Sequence, residues 1–172
     1  QRQDQAGALR LLANCLATNQ NFAPLWMAYG SVLQGFARRD EALAAYGKAI
    51  ALNPQYVEAL VNSGVLAREQ HRHAEALDFF QRVLVIKPDH ETALGNCGII
   101  LTEFKRTEEA IAMFQRLLTL NPHYEWGLGL LVYERMHACD WTDFEPLAKQ
   151  IIDGIKQGKH TCKSLQIGRA HV

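Results

Sequence analysis

Apolar positions along the chain recur in short runs at helical spacing, separated by polar turns. Leu25, Trp26, Tyr29, Val32 and Leu33 make one run, and Leu43, Tyr46, Ala49 and Ile50 make the next. Intervals of three and four residues gather each set on one side of an α-helix, so each run predicts an amphipathic helix. The turns between paired runs, Arg38-Arg39-Asp40, Arg72-His73 and Arg106-Thr107, are polar. Asp40 or Thr107 is expected to cap the helix that follows, with Glu108 and Glu109 suited to its positive end. A proline stands just past the second run, where its missing N–H forbids continuation of the helix.

These pairs of runs repeat. Pro54, Pro88 and Pro122 are spaced by 34 residues, and the same period carries Gly30, Gly64 and Gly98, then Ala42, Ala76 and Ala110, then Tyr46, Phe80 and Phe114. Phe22, Tyr56, His90 and Tyr124 form a further column, each just after an Asn-Pro-like turn. A period of this length means stacked supersecondary units rather than one closed core. Glycine and alanine fall where the two helices of a unit approach, because a larger substituent would push the axes beyond about 8–10 Å.

The columns resemble the tetratricopeptide repeat, whose tryptophan, glycine, alanine, aromatic and proline positions are filled here by Trp26, Gly30, Ala42, Tyr46 and Pro54. The second copy reads Leu60, Ser63, Gly64, Ala67, Ala76, Phe80 and Pro88, and the third runs from Leu94 to Pro122. The resemblance implies an all-α fold, a right-handed superhelical solenoid of antiparallel helix pairs. It places repeats at 23–56, 57–90 and 91–124, and an atypical terminal repeat with a junction helix at 125–157. The glycine often found in the turn inside each unit is replaced by Ala37, His71 and Lys105, a departure expected to matter little.

Both ends depart from the pattern. Ala8, Leu12 and Cys15 occupy the alanine, aromatic and small-residue columns of a preceding unit, so 1–22 is expected to hold the second helix of a repeat whose first helix is missing. The chain therefore reads as a slice of a longer protein. Residues 158–172 read as a tail. Its last six, Ile-Gly-Arg-Ala-His-Val at 167–172, are what one frame of a common sequencing adapter, ATCGGAAGAGCACACGTC, encodes, and are expected to be non-native.

In the terminal repeat Leu128 and Leu131 keep core columns, Val132 stands in the glycine column, and the turn is replaced by a segment through Cys139-Asp140-Trp141-Thr142-Asp143-Phe144. At this position the segment resembles the Cys-Asp-Trp junction of protein O-linked N-acetylglucosamine transferases and the related SPINDLY proteins, which leads into their glycosyltransferase domain. The helix expected after it carries Thr142-x-x-Glu145 as a capping box and Pro146 in its first turn. From the residues alone, Trp141 is expected to close the end of the last helix pair, Asp140 to cap a helix and Cys139 to be a small buried hydrophobe. Cys139 has no base placed to activate it, so no nucleophile is assigned there.

Composition narrows the function classes. Eighteen Lys and Arg balance 18 Asp and Glu, which removes the bulk attraction that drives non-specific nucleic-acid binding. With 48% hydrophobic residues the chain is not a disordered tail, and no apolar stretch approaches the roughly 18 residues of a membrane span. Cys15, Cys97, Cys139 and Cys162 lack metal-ligand spacing and read as reduced thiols; His71 and His73 lack companion ligands and read as solvated turn residues. No cofactor, nucleic acid or membrane is expected for this chain, and a cytoplasmic location is. Homo-oligomerisation is left open.

The resemblance implies partners that are extended polypeptide segments, held along a concave surface lined by the first helix of each unit. In the transferases an asparagine ladder on that surface holds the peptide backbone, since an amide both donates and accepts. The matching positions are Ala28, Asn62, Asn96 and Leu130, so two rungs are present. The peptide-binding candidates are Asn62 and Asn96, with Glu58, Thr92, Gln34 and Arg68. Arg38, Arg72 and Arg106 lie in the turns and are expected to form a solvated basic ridge. The chain itself shows no nucleophile motif, phosphate loop or carboxylate pair and is expected to be no enzyme. It reads as the substrate-recruiting region of a protein O-glycosyltransferase whose catalytic domain is absent here, the alternative being a stand-alone adaptor.

Overall fold

In the computed structural model, residues 2–124 and 126–158 are described, with side chains from Gly7 onward. Residues 167–172, read above as non-native, and Cys162 lie outside the described residues. Among the described residues the elements are nine helices: α1 Arg2–Thr18, α2 Ala23–Gly35, α3 Arg39–Leu52, α4 Val57–Glu69, α5 His73–Ile86, α6 Glu91–Glu103, α7 Thr107–Leu120, α8 Gly127–His137 and α9 Phe144–Lys156. They group into two compact units, one ending at Pro88 and the other beginning at Asp89.

In the first unit α1 packs on α2, α2 on α3, α3 on α4 and α4 on α5. The repeated glycine is the contact point of each pair. A Cβ on Gly30 would lie 2.5 Å from the Tyr46 ring, and one on Gly64 would lie 2.8 Å from the Phe80 ring. Real carbon atoms do not approach this closely, so only glycine lets the aromatic ring lie across the backbone of the facing helix. Ala42, Tyr46, Ala49, Ala76 and Phe80 are fully buried as a result. Cys15 is exposed and Leu16 buried, so the small-residue column does not carry over to α1, which packs chiefly on α2 and sends Leu9 against the cluster of Leu33, Ala42, Ala45 and Tyr46.

The second unit repeats the device: a Cβ on Gly98 would lie 2.5 Å from the Phe114 ring. Asn53 and Asn121 each close the turn that follows their helix. Their side-chain oxygens accept from the N–H of Gln55 and His123 at 3.1 Å, and their carbonyls accept from Tyr56 and Tyr124 at 3.0 Å. Tyr56 thereby becomes the N-cap residue of α4. His90 holds the same place before α6, where its Nδ1 accepts from the Ala93 N–H at 3.3 Å.

The turn inside each pair is where the structure corrects the sequence reading most. Ala37, His71 and Lys105 all adopt the left-handed conformation, with φ of 58°, 58° and 57°. Each ends its helix in a Schellman motif: Arg38 N–H bonds the Leu33 carbonyl at 3.0 Å, Arg72 the Ala67 carbonyl at 2.9 Å, and Arg106 the Leu101 carbonyl at 2.9 Å. The missing glycine therefore matters, because an L-residue is strained there. Neither Asp40 nor Thr107 caps a helix; both lie inside the first turn, and the N-cap residues are Arg38, Arg72 and Arg106, without a side-chain bond to the helix.

Those arginines are not a basic ridge. Arg38 grips the Glu41 carboxylate with two bonds at 2.7 and 2.6 Å, Arg106 grips Glu109 at 2.6 and 2.8 Å, and Arg72 pairs with Glu75. The arginine hydrogen bond holds the Glu41 carboxyl below the usual range. In each turn one arginine and one glutamate three residues apart are paired, so the charge of that arginine is cancelled locally.

Candidate functional site

The first helices carry the candidate residues, and each unit arranges its own set. In the first unit, Gln34 on α2 and Asn62 on α4 meet at one atom, the hydroxyl of Tyr46. Because Gly30 lets the Tyr46 ring pass beneath α2, its hydroxyl reaches the far side and donates to Gln34 Oε1 at 2.8 Å, with Ser31 Oγ at 3.5 Å. Asn62 lies near enough to this hydroxyl to act on its titration. Burial raises the Tyr46 pKa above the ordinary phenol value, against Ser31 and Asn62, which act to lower it. The phenol is therefore a fixed neutral donor that orients the Gln34 amide.

Glu58 and Arg68 do not join this cluster. Glu58 is exposed in the first turn of α4 and Arg68 is half-buried in its last turn, about 15 Å apart at 1.5 Å per residue. Among the described residues Arg68 has no carboxylate partner.

In the second unit Thr92 and Asn96 are brought together on α6. Asn96 Nδ2 donates to the Thr92 carbonyl at 2.7 Å, while the Thr92 side chain is exposed. Asn96 is 8% exposed, and its Oδ1 is buried with no hydrogen-bond partner. An acceptor left this way costs roughly 1–3 kcal/mol. At Asn96 one of the two amide N–H donors is therefore taken by the Thr92 carbonyl, and at Gln34 the amide oxygen is taken by the Tyr46 hydroxyl. Of the absent rungs, Ala28 is exposed and Leu130 half-buried. The sequence reading missed the Tyr46 hydroxyl; its signal was the aromatic column, which reads Tyr46, Phe80, Phe114 and so carries one hydroxyl.

Two models of the tetratricopeptide repeat match the chain, at residues 30–91 and 67–125. Residues 30–125 are tetratricopeptide repeats. The chain matches no curated protein sequence. Among solved structures, this tetratricopeptide chain is similar to MamA, at 15% identity with a TM-score of 0.81, covering 91% of this chain and 92% of that one. It is similar to YrrB, described as a tetratricopeptide protein with an unusual peptide-binding site, at 19% identity and a TM-score of 0.69, covering 81% and 74%. It is also similar to PilF of Pseudomonas aeruginosa, at 22% identity and a TM-score of 0.73, covering 92% and 70%. These likenesses establish the fold.

The tetratricopeptide register also explains much of the Cys139 segment. Cys139 lies 34 residues after Lys105 and adopts the same left-handed conformation, φ 53°, with Asp140 N–H bonding the Arg135 carbonyl at 2.9 Å. It is the fourth Schellman turn rather than a replaced one, and the thiol is exposed, not buried. Asp140 caps no helix: its carboxylate accepts from the Thr142 N–H at 3.0 Å and pairs with Arg135 at 3.7 Å, and hydrogen bonding from Thr142, with a smaller effect of Arg135, lowers its pKa. No capping box forms, since the N-cap of α9 is Asp143 and it makes no side-chain cap bond. Trp141 does not close the pair; it is 59% exposed and meets Phe144 edge to face at 5.3 Å. Among the described residues no helix is long and apolar enough to cross a membrane.

Proposed function

We propose that this tetratricopeptide chain is a non-catalytic scaffold that holds extended polypeptide segments against its first helices, chiefly through Asn62 and Asn96. The observation that carries this reading is the recurrence of an asparagine in the same column of two first helices, Asn62 on α4 and Asn96 on α6. Asn62 is half-buried on α4 and Asn96 is 8% exposed on α6, and a side-chain amide both donates and accepts, so each can pair with peptide groups of a bound backbone. Glu58, Thr92, Gln34 and Arg68 flank these amides and would select side chains. The test uses a peptide drawn from a random library displayed on phage, measured by fluorescence anisotropy. Changing Asn62 and Asn96 together to Ala weakens binding at least about tenfold, the worth of roughly one hydrogen bond at each site. Unchanged affinity removes the claim.

A second reading makes the chain the substrate-recruiting part of a protein O-glycosyltransferase acting in the cytoplasm. It rests on Trp141, a large ring in the Cys139-Asp140-Trp141 segment that the repeat packing leaves exposed. The gene sequence beyond codon 166 decides it: a nucleotide-sugar transferase domain supports this reading, and a stop codon favours the adaptor.

A further inference from the structure

Helix α4 leaves one face uncovered by its neighbours. After Val57, the positions of α4 that are not buried are Glu58, Val61, Asn62, Val65, Arg68 and Glu69, which helical spacing gathers on one side. Glu69 is already paired with Arg39 at 3.7 Å. The two remaining charges stand at opposite ends of the face, Glu58 in the first turn and Arg68 in the last, about 15 Å apart along the axis at 1.5 Å per residue. Among the described residues neither side chain has a hydrogen bond or an ion pair. Between them the half-buried Val61 and Val65 give an apolar surface, with Asn62 at its edge.

The other first helices lack this arrangement. The column of Glu58 holds Pro24, Thr92 and Trp126, and that of Arg68 holds Gln34, Thr102 and Met136, so both charges are particular to α4. An acid in the first turn and a base in the last also favour a helix, but α2 has neither and α6 has no base, so the stack does not require them. What matches the face is an extended chain. Its backbone rises about 3.3 Å per residue and sends alternate side chains to one face, so side chains four residues apart share a face and span about 13 Å, whereas a spacing of three or five sends them to opposite faces. Building on the reading of the first helices as a peptide-holding surface, we propose that α4 selects extended segments with one acidic and one basic side chain four residues apart and a small apolar side chain midway. The acidic side chain meets Arg68, the basic one meets Glu58, and the apolar one rests on Val61 and Val65.

Proton–nitrogen NMR titration of the 172-residue chain tests this. The probes are peptides blocked at both ends: glutamate-threonine-valine-threonine-lysine, the same with one more threonine before the lysine, and the same with glutamine at both charged places. The expected result is a saturable shift of the Val61 and Val65 amides and of the Arg68 Nε–H, with affinity about three- to tenfold higher for the first peptide than for either of the others. Arg68→Gln makes the chain indifferent to glutamine in place of the glutamate, and Glu58→Gln makes it indifferent to glutamine in place of the lysine; both changes lie on the uncovered face, and an unaltered spectrum outside α4 shows that the fold is kept. No shift at these groups, no preference for the first peptide, or a preference that survives both substitutions overturns the proposal. The Asn62→Ala, Asn96→Ala double variant separates the two readings: a loss of affinity common to all the peptides supports the asparagine claim, unchanged affinity removes it, and in either case the ratio between the peptides tests the charge spacing.

Discussion

Three non-glycine residues in left-handed backbone make a stability prediction with a built-in control. Ala37, His71 and Lys105 are exposed and have φ near 58°, so replacing them removes little packing. Left-handed backbone costs an L-residue roughly 1–2 kcal/mol. Glycine escapes that cost but loses about 0.5–1 kcal/mol through the greater freedom of its unfolded chain. Ala37→Gly therefore stabilises by about 0.5–1 kcal/mol, and the triple Gly variant by about 1.5–3 kcal/mol, because sites a full repeat apart add nearly independently. The control is Ala44→Gly, the same chemical change at an exposed position inside α3, which costs about 1 kcal/mol. Urea unfolding followed by far-UV circular dichroism, with midpoints compared at constant slope, reads both. Opposite signs are required. If Ala37→Gly lowers the midpoint as Ala44→Gly does, the Schellman assignment and the strain argument built on it are wrong.

Two further predictions use the same economy of contrasts. Gly98→Ala places a methyl group 2.5 Å from the Phe114 ring and destabilises by about 1–3 kcal/mol, whereas Gly47→Ala, with nothing within 4 Å, stabilises by up to about 1 kcal/mol; thermal melts distinguish the two. Burial pushes the Cys97 thiol up to about 12, so native protein at pH 8 reacts with a thiol reagent at Cys15 and Cys139 and not at Cys97, as peptide mapping will show. Because that folded pKa lies above the unfolded value of 9.0, the unfolded chain releases the Cys97 proton first. This contribution to stability is intact below about pH 9 and is lost between there and about 12, a decline that Cys97→Ala removes.

The repeat was legible because its period is fixed by backbone geometry: Gly30, Gly64 and Gly98 must face Tyr46, Phe80 and Phe114, and no other residue fits. The turns were misread for a related reason. Glycine is the usual mark of left-handed backbone, so Ala37, His71 and Lys105 carry no compositional sign of it, yet a common 34-residue spacing tied them to one conformation. Charge was misread because composition reports residues singly. Arg38 and Glu41 three apart are a pair, and only their spacing says so. At the candidate site the asparagines were found by column, but the hydroxyl beside Asn62 was not: Tyr46 acts from the second helix, reaching Gln34 across α2.

The terminal pair shows why a repeat count does not continue indefinitely. With Val132 in the glycine column, a branched side chain stands where the other pairs have open backbone, and the facing aromatic column holds Ala148 in place of a ring. The second helix also starts late. Counting from Arg39, His73 and Thr107 would begin it at Trp141, but Asp143 turns left-handed at φ 56° and α9 begins at Phe144. α9 keeps an amphipathic stripe and the repeat register: Gln150, three repeat lengths after Lys48, faces α7 and α8 across a groove as Lys48 faces α1 and α2. Its one buried residue is Gly154, and Ile152 and Ile155 stay exposed. The crossing thus exchanges a glycine and a ring for Val132 and Ala148, and with no ring to bury, α9 buries less than α3, α5 or α7 does.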